Sequence, residues 1–322
     1  MNDTTGLDPR TFTAEAIEPE TAAFNEQLEA LLATLPPSYT QPITETRALR
    51  ESGRGMWGPL IFSDLATMRA IPGPAGDIPL RVFLPESVAG VYLHIHGGGW
   101  VQGRAHQQDG VLERIARTCN VAVVSVDYRL APEHPYPAGP DDCEAAAVWV
   151  VERAEREFGT ARIVIGGISA GAHLAAVTVL RMRDRHGYTG FLGVNLEAGL
   201  YDLAFTPSVR RWGDRNLGLN TPACDWFTDL FVPPERRGDP DVSPLHADLR
   251  GLPPALFTVG TLDPLVDDSL FMYARWIAAG NAADLAVYPG GVHGFNNMPF
   301  PLGIRASARI DAFIRQAIIG GR

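Results

Sequence analysis

The fold is decided by residues 162–171, Arg-Ile-Val-Ile-Gly-Gly-Ile-Ser-Ala-Gly, in which an apolar strand runs straight into a glycine-flanked serine. A strand is predicted over Arg162–Gly166 and an apolar helix over Ala170–Arg183. In the pattern Gly-x-Ser-x-Gly, the serine occupies a sharp strand-to-helix turn, where a strained backbone needs small neighbours. The free N–H groups at the start of the helix then point at the reacting centre. The pattern predicts a nucleophile at Ser169, while a glycine-rich turn without chemistry remains the alternative.

A second motif, His96-Gly97-Gly98-Gly99-Trp100, follows a predicted strand over Val91–Ile95. Three glycines let a loop turn its N–H groups inward without interfering side chains. Such a loop can donate to the oxygen that becomes negative during acyl transfer. A phosphate-binding loop is the alternative, but it needs a helix that opens immediately and usually ends in Lys or Thr, whereas Trp100-Val101-Gln102 follows here.

A serine nucleophile needs a base, and the base needs an acid that orients it. His293 lies in a glycine-flanked loop directly after a predicted strand. Asp263 follows the predicted strand Ala255–Val259, and His293 is the only histidine downstream of it. The chain order Ser, Asp, His is one of the known orders of this constellation. Another histidine, His173, lies one helical turn beyond Ser169 and is predicted to pack inside the protein.

Other assignments of the acid stay open at this point. Asp267 and Asp268 are rivals, but both fall inside the next predicted helix and are predicted to be solvated. Asp263 also suits a helix N-cap before Pro264.

Short apolar strands alternate with longer helices along most of the chain, after a predicted antiparallel pair at Ala66–Ile71 and Leu80–Leu84. Such alternation implies an α/β fold with a mostly parallel sheet covered on both faces. Apolar positions at helical spacing predict an N-terminal helix within Thr13–Leu35. The stretch Asp202–Leu249 breaks the alternation, and an insertion over strand ends is where a lid or cap lies.

Composition limits the kinds of partner and chemistry. The 322-residue chain is 46% hydrophobic, which suffices for a sizeable core, and its formal net charge of −10 argues against nucleic-acid and anionic-membrane partners. The absence of lysine excludes chemistry on a lysine nucleophile. Its three cysteines show no disulfide or metal-ligand spacing. The histidines and carboxylates show no ligand spacing either, so neither a metal nor a cofactor is predicted. Met1–Glu20 lacks the basic and apolar regions of a signal peptide, and the expected location is the cytoplasm.

Together these motifs resemble the hormone-sensitive-lipase family of α/β hydrolases, which includes the bacterial family IV esterases. The resemblance spans about residues 60 to 320. The matching motifs, in the order of the family, are His96–Trp100, Asp127–Pro135 (Asp-Tyr-Arg-Leu-Ala-Pro-Glu-His-Pro), Gly167–Gly171, Asp263–Asp267 and His293–Phe295.

The resemblance implies an α/β-hydrolase fold, with a mostly parallel sheet of about eight strands, flanking helices and a helical cap. It divides the chain into residues 1–55 (N-terminal part of the cap), 56–201 (first part of the core), 202–248 (cap insertion) and 249–322 (second part of the core). The site residues that it implies are the triad Ser169, Asp263 and His293 and the backbone N–H groups of the oxyanion hole at Gly98, Gly99 and Ala170.

The implied activity is that of a serine carboxylesterase for short-chain acyl esters, acting through an acyl-enzyme on Ser169. We expect its activity to fall in acid as His293 becomes protonated. An amide or lactone hydrolase with the same triad, and a small-molecule receptor on the same fold, are the alternatives. The partner is a small-molecule ester, and a homodimer agrees with the habit of the family. The candidate substrate-binding residues are Trp57, Trp100, Ile168, Phe205, Trp212 and Met298.

Two positions depart from the family pattern. Ile168 stands where Asp, Glu or Thr is usual, and Ala172 stands where the last glycine of the extended motif is usual. The first change removes a polar contact on the acid–histidine side of the site. A group of arginines, Arg210, Arg211 and Arg215, is a candidate for binding a substrate carboxylate.

Overall fold

The apolar runs of the sequence form a sheet at the centre of the molecule. The computed structural model describes residues 7–54 and 58–320. Its strands are β1 (Ala66–Gly73), β2 (Gly76–Phe83), β3 (Gly90–Ile95), β4 (Val121–Val126), β5 (Ile163–Ile168), β6 (Gly193–Glu197), β7 (Ala255–Leu262) and β8 (Ala283–Val292). Within the described residues they make one eight-stranded sheet in the order β1-β2-β4-β3-β5-β6-β7-β8. Strand β2 is antiparallel to both neighbours and the remaining pairs are parallel, which confirms the predicted sheet.

Helices cover both faces of the sheet, as the absence of a polar face on the central strands requires. Every residue of β3, β4 and β5 is buried. Helices α4, α5 and α8 pack on one face and α3 and α9 on the other. The α-helices of the described residues are α1 (Pro19–Leu32), α2 (Ile43–Glu51), α3 (Asp109–Cys119), α4 (Ala138–Phe158), α5 (Ala170–His186), α6 (Pro207–Trp212), α7 (Thr221–Phe231), α8 (Val266–Ala278) and α9 (Pro301–Gly320).

The carboxyl ends of four parallel strands bring the sequence motifs to one edge of the sheet. Strand β3 leads into the glycine loop that begins at His96, β5 into Ser169, β7 into Asp263 and β8 into His293. In open α/β sheets, this edge is where ligands bind. The topology therefore places residues that are far apart in sequence around a common point.

The N-terminal segment and the 202–248 insertion lie against each other and against this edge. Helix α1 packs on β8, and Asn25 donates to the carbonyl of Gly290 at 2.8 Å. Arg215, in the insertion, pairs with Glu29 of α1 at 2.9 Å. Each of the two segments therefore contacts the other.

Further contacts fasten both segments to the core. Arg47 of α2 donates to the carbonyls of Val101 and Ala131, each at 2.8 Å, beside the glycine loop. The almost fully buried Arg181 of α5 pairs with Asp241 of the insertion at 2.6 Å.

Two segments contain elements that the sequence analysis did not predict. The N-terminal α-helix begins only at Pro19, because proline suits the first helical position and lacks the N–H that an earlier turn would use. The residues between Pro9 and Ala16 instead form two short 3-10 helices. The stretch 202–249, in which no clear periodicity was visible, contains α6 and α7.

None of the helices in the described parts of the chain is both long enough and apolar enough to cross a membrane.

Candidate active site

The serine of the strand-to-helix turn has a strained backbone. Ser169 adopts φ 57° and ψ −123°, a conformation that non-glycine residues rarely adopt, and its N–H donates to the carbonyl of Glu197 at 2.8 Å. The flanking glycines permit close packing against β3. A Cβ at Gly171 would lie 2.0 Å from the carbonyl oxygen of Ile95, and one at Gly167 would lie 2.3 Å from the same atom. The two glycines therefore let the nucleophile turn sit directly on the neighbouring strand.

The structure brings Ser169, His293 and Asp263 into one hydrogen-bonded relay. Ser169 Oγ lies 2.9 Å from His293 Nε2, and His293 Nδ1 lies 2.9 Å from Asp263 Oδ2. A carboxylate only accepts, so Nδ1 carries the proton and Nε2 is left to accept from the serine hydroxyl. The Asp263 side chain is fully buried. This is the arrangement that activates a serine nucleophile.

Asp263 serves the following helix as well. Its second oxygen, Oδ1, accepts the N–H of Leu265 at 2.8 Å, and its carbonyl accepts the N–H of Val266 at 3.1 Å. Asp263 thus orients His293 and also binds the N–H of Leu265 in the turn before α8. The N-cap of α8 is Leu265, so the interpretation of Asp263 as the N-cap is wrong.

The rival carboxylates hold the start of the insertion. Asp267 accepts the N–H of Ser208 at 2.8 Å. Asp268 is fully buried, so the prediction that it is solvated is wrong. It accepts from residues more than 60 positions away in the chain, which sequence periodicity does not reveal: Tyr201 N, Asp202 N and Thr206 Oγ1. Burial raises the pKa of Asp268 to about 7.

The glycine loop and the start of α5 present free N–H groups. Gly98 and Gly99 have φ values of 128° and 60°. A Cβ at Gly98 would lie 1.9 Å from the carbonyl oxygen of Gln102, and one at Gly99 would lie 2.3 Å from the ring of Phe227. Within residues 7–54 and 58–320, the N–H groups of Gly98, Gly99 and Ala170 have no hydrogen-bond acceptor. All three residues line the same cavity as Ser169, so these donors are available to a developing oxyanion.

A cavity of about 1120 Å³ opens at the triad. Of the predicted substrate-binding residues, Trp100, Ile168 and Met298 line it, whereas Trp57 lies outside the described residues. Lining residues that the sequence analysis missed include Leu28, Leu32, Tyr39, Leu219 and Phe227. A signal for the first two was present, since they belong to the apolar positions of the predicted N-terminal helix.

Phe205 and Trp212 are not among the residues that line this cavity, so the geometry does not support their prediction as substrate contacts. Phe205 is buried in the main hydrophobic core. Trp212 packs against the apolar cluster under α1, and its indole N–H donates to the carbonyl of Arg215 at 2.7 Å. The weak periodicity of the insertion concealed which of its aromatic residues face inward.

The predicted arginine group also lies away from the cavity walls. Arg210 donates to the carbonyl of Ala204 at 2.7 Å, and Arg215 is paired with Glu29. The lining residues of the cavity include neither of these nor Arg211. The geometry therefore gives no support to substrate carboxylate binding by this group.

A buried polar network lies behind the triad and was not predicted. The Glu197 carboxylate accepts from Asn195 Nδ2 at 2.6 Å and from Asn296 Nδ2 at 2.5 Å. Asn296 lies in the short turn that follows His293. Glu197 thus joins the nucleophile turn, through its carbonyl, to the histidine loop, through its carboxylate. The available signal was a charged residue at the end of an apolar strand.

The buried Glu197 predicts a pH-dependent stability. Burial raises its pKa to about 7, against an ordinary value near 4.5, so the folded protein keeps a proton that the unfolded chain releases. The free energy of unfolding should therefore fall as the pH rises from about 4.5 to 7, by roughly 1–3 kcal/mol from this residue. In Glu197→Gln we expect the part of this pH-dependent fall that comes from Glu197 to vanish. The variant should also have a lower free energy of unfolding at every pH, because a hydrogen bond is disrupted. Urea unfolding at pH 5 and at pH 8 measures the change in the free energy of unfolding.

Asp268→Asn is the matched control for this measurement. Burial also raises the pKa of Asp268. This variant should therefore remove a separate part of the fall in the free energy of unfolding with pH. A slope that is identical in wild type and in Glu197→Gln would contradict the assignment.

Among the described residues, no group of three or more His, Cys, Asp or Glu side chains is placed to hold a metal ion.

The nucleophile turn, the relay and the free N–H groups at the carboxyl ends of parallel strands define a protein of the α/β-hydrolase class. A family described by its alpha/beta hydrolase fold matches residues 92–297. The chain belongs to the hormone-sensitive-lipase-like family of α/β hydrolases, the family IV esterases.

Known proteins are similar to this chain over most of its length. The chain is 39% identical to "Carboxylic ester hydrolase LipN" of Mycobacterium tuberculosis over 286 residues, which cover 84% of this chain and 75% of the relative. It is 34% identical to "Carboxylesterase NlhH" of the same species over 305 residues, covering 90% and 95%. A solved esterase from Pyrobaculum calidifontis superposes with a TM-score of 0.85 at 31% identity, covering 94% of this chain and 99% of that chain.

Proposed function

We propose that the chain is a serine carboxylesterase that hydrolyses short-chain acyl esters of small-molecule substrates through an acyl-enzyme on Ser169. The observation that carries the proposal is the relay from Ser169 through His293 to Asp263, with both links at 2.9 Å, at the wall of a cavity that also presents free N–H groups. The printed names of the relatives, carboxylic ester hydrolase and carboxylesterase, support the same reaction. The short acyl chain follows from the resemblance to the family.

In the acylation half, Ser169 Oγ attacks the ester carbonyl carbon while His293 Nε2 takes the hydroxyl proton. The buried Asp263 carboxylate stabilises the resulting imidazolium and keeps its Nδ1–H directed inward. The negative oxygen of the tetrahedral intermediate accepts from the N–H groups of Gly98, Gly99 and Ala170, and removing one donor of this kind typically costs about 3 kcal/mol in transition-state stability. The bond to the alcohol then breaks, and the imidazolium protonates the departing alkoxide.

In the deacylation half, a water molecule takes the place of the serine. His293 removes a proton from the water, which attacks the acyl carbon, and the same N–H groups bind the second oxyanion. The bond between the acyl carbon and Ser169 Oγ breaks, and the proton returns from His293 to the serine. The carboxylic acid leaves and the enzyme is restored. Both halves need an unprotonated imidazole, so turnover should decline in acid.

The first experiment compares the p-nitrophenyl esters of acetate, butyrate, octanoate and palmitate. We expect turnover of the short esters and a sharp decline towards palmitate. In parallel, a p-nitrophenyl alkylphosphonate should attach to Ser169 Oγ with release of one p-nitrophenolate, and peptide mass spectrometry should locate the adduct on the peptide that contains residues 167–171. Intact, folded protein that neither turns over any ester nor takes up the phosphonate would contradict the proposal.

Matched amide and lactone substrates separate the alternatives, because all three reactions share one tetrahedral intermediate. A higher kcat/KM on the amide or the lactone than on the ester of the same acyl group would replace the esterase assignment. Binding of esters without turnover, in protein that also resists the phosphonate, would favour a receptor.

The cytoplasmic location belongs to the same proposal. What supports it is that Cys119, Cys143 and Cys224 are all buried as free thiols, which is typical of a reducing compartment.

A further inference from the structure

The glycine loop is anchored by the residue that ends it. Trp100 follows Gly99 directly and has a positive φ of 61°, a conformation that needs support from its surroundings. Its indole stacks on Phe231 with ring centroids 4.6 Å apart. Its Nε1–H donates to His173 Nδ1 at 3.0 Å. The glycine loop thus ends in an indole that is held by two contacts, one at its ring face and one at its N–H group.

The partner of that indole is a fully buried histidine on the nucleophile helix. The N–H of His173 donates to the carbonyl of Ser169 at 3.1 Å, one turn back along α5. On its other side, His173 Nε2 lies 2.7 Å from the carbonyl oxygen of Val242, in the cap insertion. His173 therefore joins three segments: its imidazole contacts Trp100 and Val242, and its backbone belongs to the nucleophile helix.

The two hydrogen bonds determine the tautomer of His173. An indole N–H only donates, so Nδ1 must accept, and the proton must lie on Nε2, where it donates to the Val242 carbonyl. Burial lowers the pKa of His173 to about 4, which keeps the ring neutral at ordinary pH. Two charged groups, Arg181 and Asp241, act on the ring through space, and they are paired with each other. The aromatic neighbours Trp100 and Phe231 meet its ring edge-on.

We propose that His173 is a positioning residue of the proposed esterase reaction: it fixes the oxyanion-binding glycine loop through Trp100 and ties that loop to the cap insertion through Val242. Catalytic donors must be held within about 0.5 Å of their productive positions. A Cβ at Gly99 would lie 2.3 Å from the ring of Phe227, so the loop has little space on that side and depends on Trp100 to hold its position. The proposal rests on the proposed function, because the oxyanion matters only in acyl transfer.

Two substitutions separate the two hydrogen bonds of His173. In His173→Asn, the amide oxygen can take the place of Nδ1 and accept from Trp100, but the side chain is too short for Val242. In His173→Gln, the amide N–H can take the place of Nε2 and donate to Val242, but no acceptor remains for the indole. We expect His173→Gln to lower kcat on p-nitrophenyl acetate by about 10-fold or more with KM within about two-fold, since only transition-state binding is lost. His173→Asn should recover most of that loss.

Trp100→Phe completes the test, because it removes the indole N–H and keeps a ring against Phe231. Its loss of kcat should equal that of His173→Gln, and the double variant should lose no more than either single variant, as expected for two partners of one interaction. Affinity for a trifluoromethyl ketone, which forms an oxyanion on Ser169, should fall in parallel with kcat. His186→Asn, an exposed position at the end of α5, is the control with unchanged kcat.

Each outcome decides between positioning and simple packing. Equal losses in His173→Asn and His173→Gln, or losses that multiply in the double variant, would overturn the proposal. Where His173→Gln fails to fold, Trp100→Phe and the ketone affinity still decide it. Nitrogen-15 NMR of the His173 ring gives a readout without turnover: an unprotonated Nδ1 supports the proposal, and a protonated Nδ1 overturns it. A wild-type protein that hydrolyses no ester but shows that tautomer would refute the proposed function and leave the hydrogen bonds intact.

Discussion

Ser169→Ala is expected to lower kcat for p-nitrophenyl butyrate by about 10⁴- to 10⁶-fold, the largest effect of any single substitution in this chain. The variant removes the atom that forms the acyl-enzyme, so neither half of the reaction can proceed by the proposed route. A small residual rate over water should remain, because the N–H groups of Gly98, Gly99 and Ala170 can still stabilise attack by water. Initial rates at saturating ester, with enzyme purified apart from any wild-type protein, measure the effect.

Ser52→Ala is the matched control for this experiment. Ser52 is exposed at the end of α2, where its hydroxyl donates to the carbonyl of Leu49 at 2.8 Å, and it is not among the residues that line the cavity. Its kcat should equal that of the wild type. A Ser169→Ala protein that keeps more than about a tenth of the wild-type rate would exclude Ser169 as the nucleophile.

Asp263→Asn is expected to lower kcat by about 10⁴-fold while the protein stays folded. The amide NH₂ would donate to His293 Nδ1, which places the ring proton on Nε2 and removes the acceptor that Ser169 needs. The loss of the carboxylate also leaves the imidazolium without a counter-charge. Steady-state kinetics at a pH on the plateau of the wild-type profile measure the loss, and the melting temperature reports whether the fold is kept.

The matched control is Asp267→Asn, in the first turn of the helix that follows. Asp267 accepts from Ser208 and does not touch the triad, so kcat should stay within a few-fold of wild type. Equal losses in the two variants would mean that the acid has been assigned to the wrong carboxylate.

The relay was predictable because its members interrupt the apolar pattern at recognisable places. Ser169, Asp263 and His293 each follow a strand whose apolar run ends in glycine or in a turn. Parallel strands put all such ends at one edge of the sheet, so strand order along the chain was enough to bring them together. The mostly parallel sheet was predictable from the apolar strands themselves, because strands without a polar face must be covered on both sides.

The walls of the site were less predictable, because they depend on contacts between distant segments. Glu197 was missed and Asp268 was misassigned. The donors to Asp268, and Asn296 as one of the two donors to Glu197, lie far away in the sequence and leave no periodic signal. Phe205 and Trp212 have aromatic side chains in the right segment of the sequence, yet they pack away from the cavity. Composition shows that an insertion contains aromatic residues, and only the tertiary packing shows which of them reach the substrate.

The assembly of the site from four strand ends has a consequence for refolding. The Ser169–His293 hydrogen bond closes a sequence separation of 124 residues, and the Trp100–His173 bond closes one of 73. Contacts at such separations form slowly, because closing the loop costs conformational entropy before the contact contributes any stabilising free energy. Helical circular dichroism should therefore recover before esterase activity after dilution from denaturant. An activity assay on the refolding protein therefore reports when β8 has joined the sheet and brought His293 to Ser169.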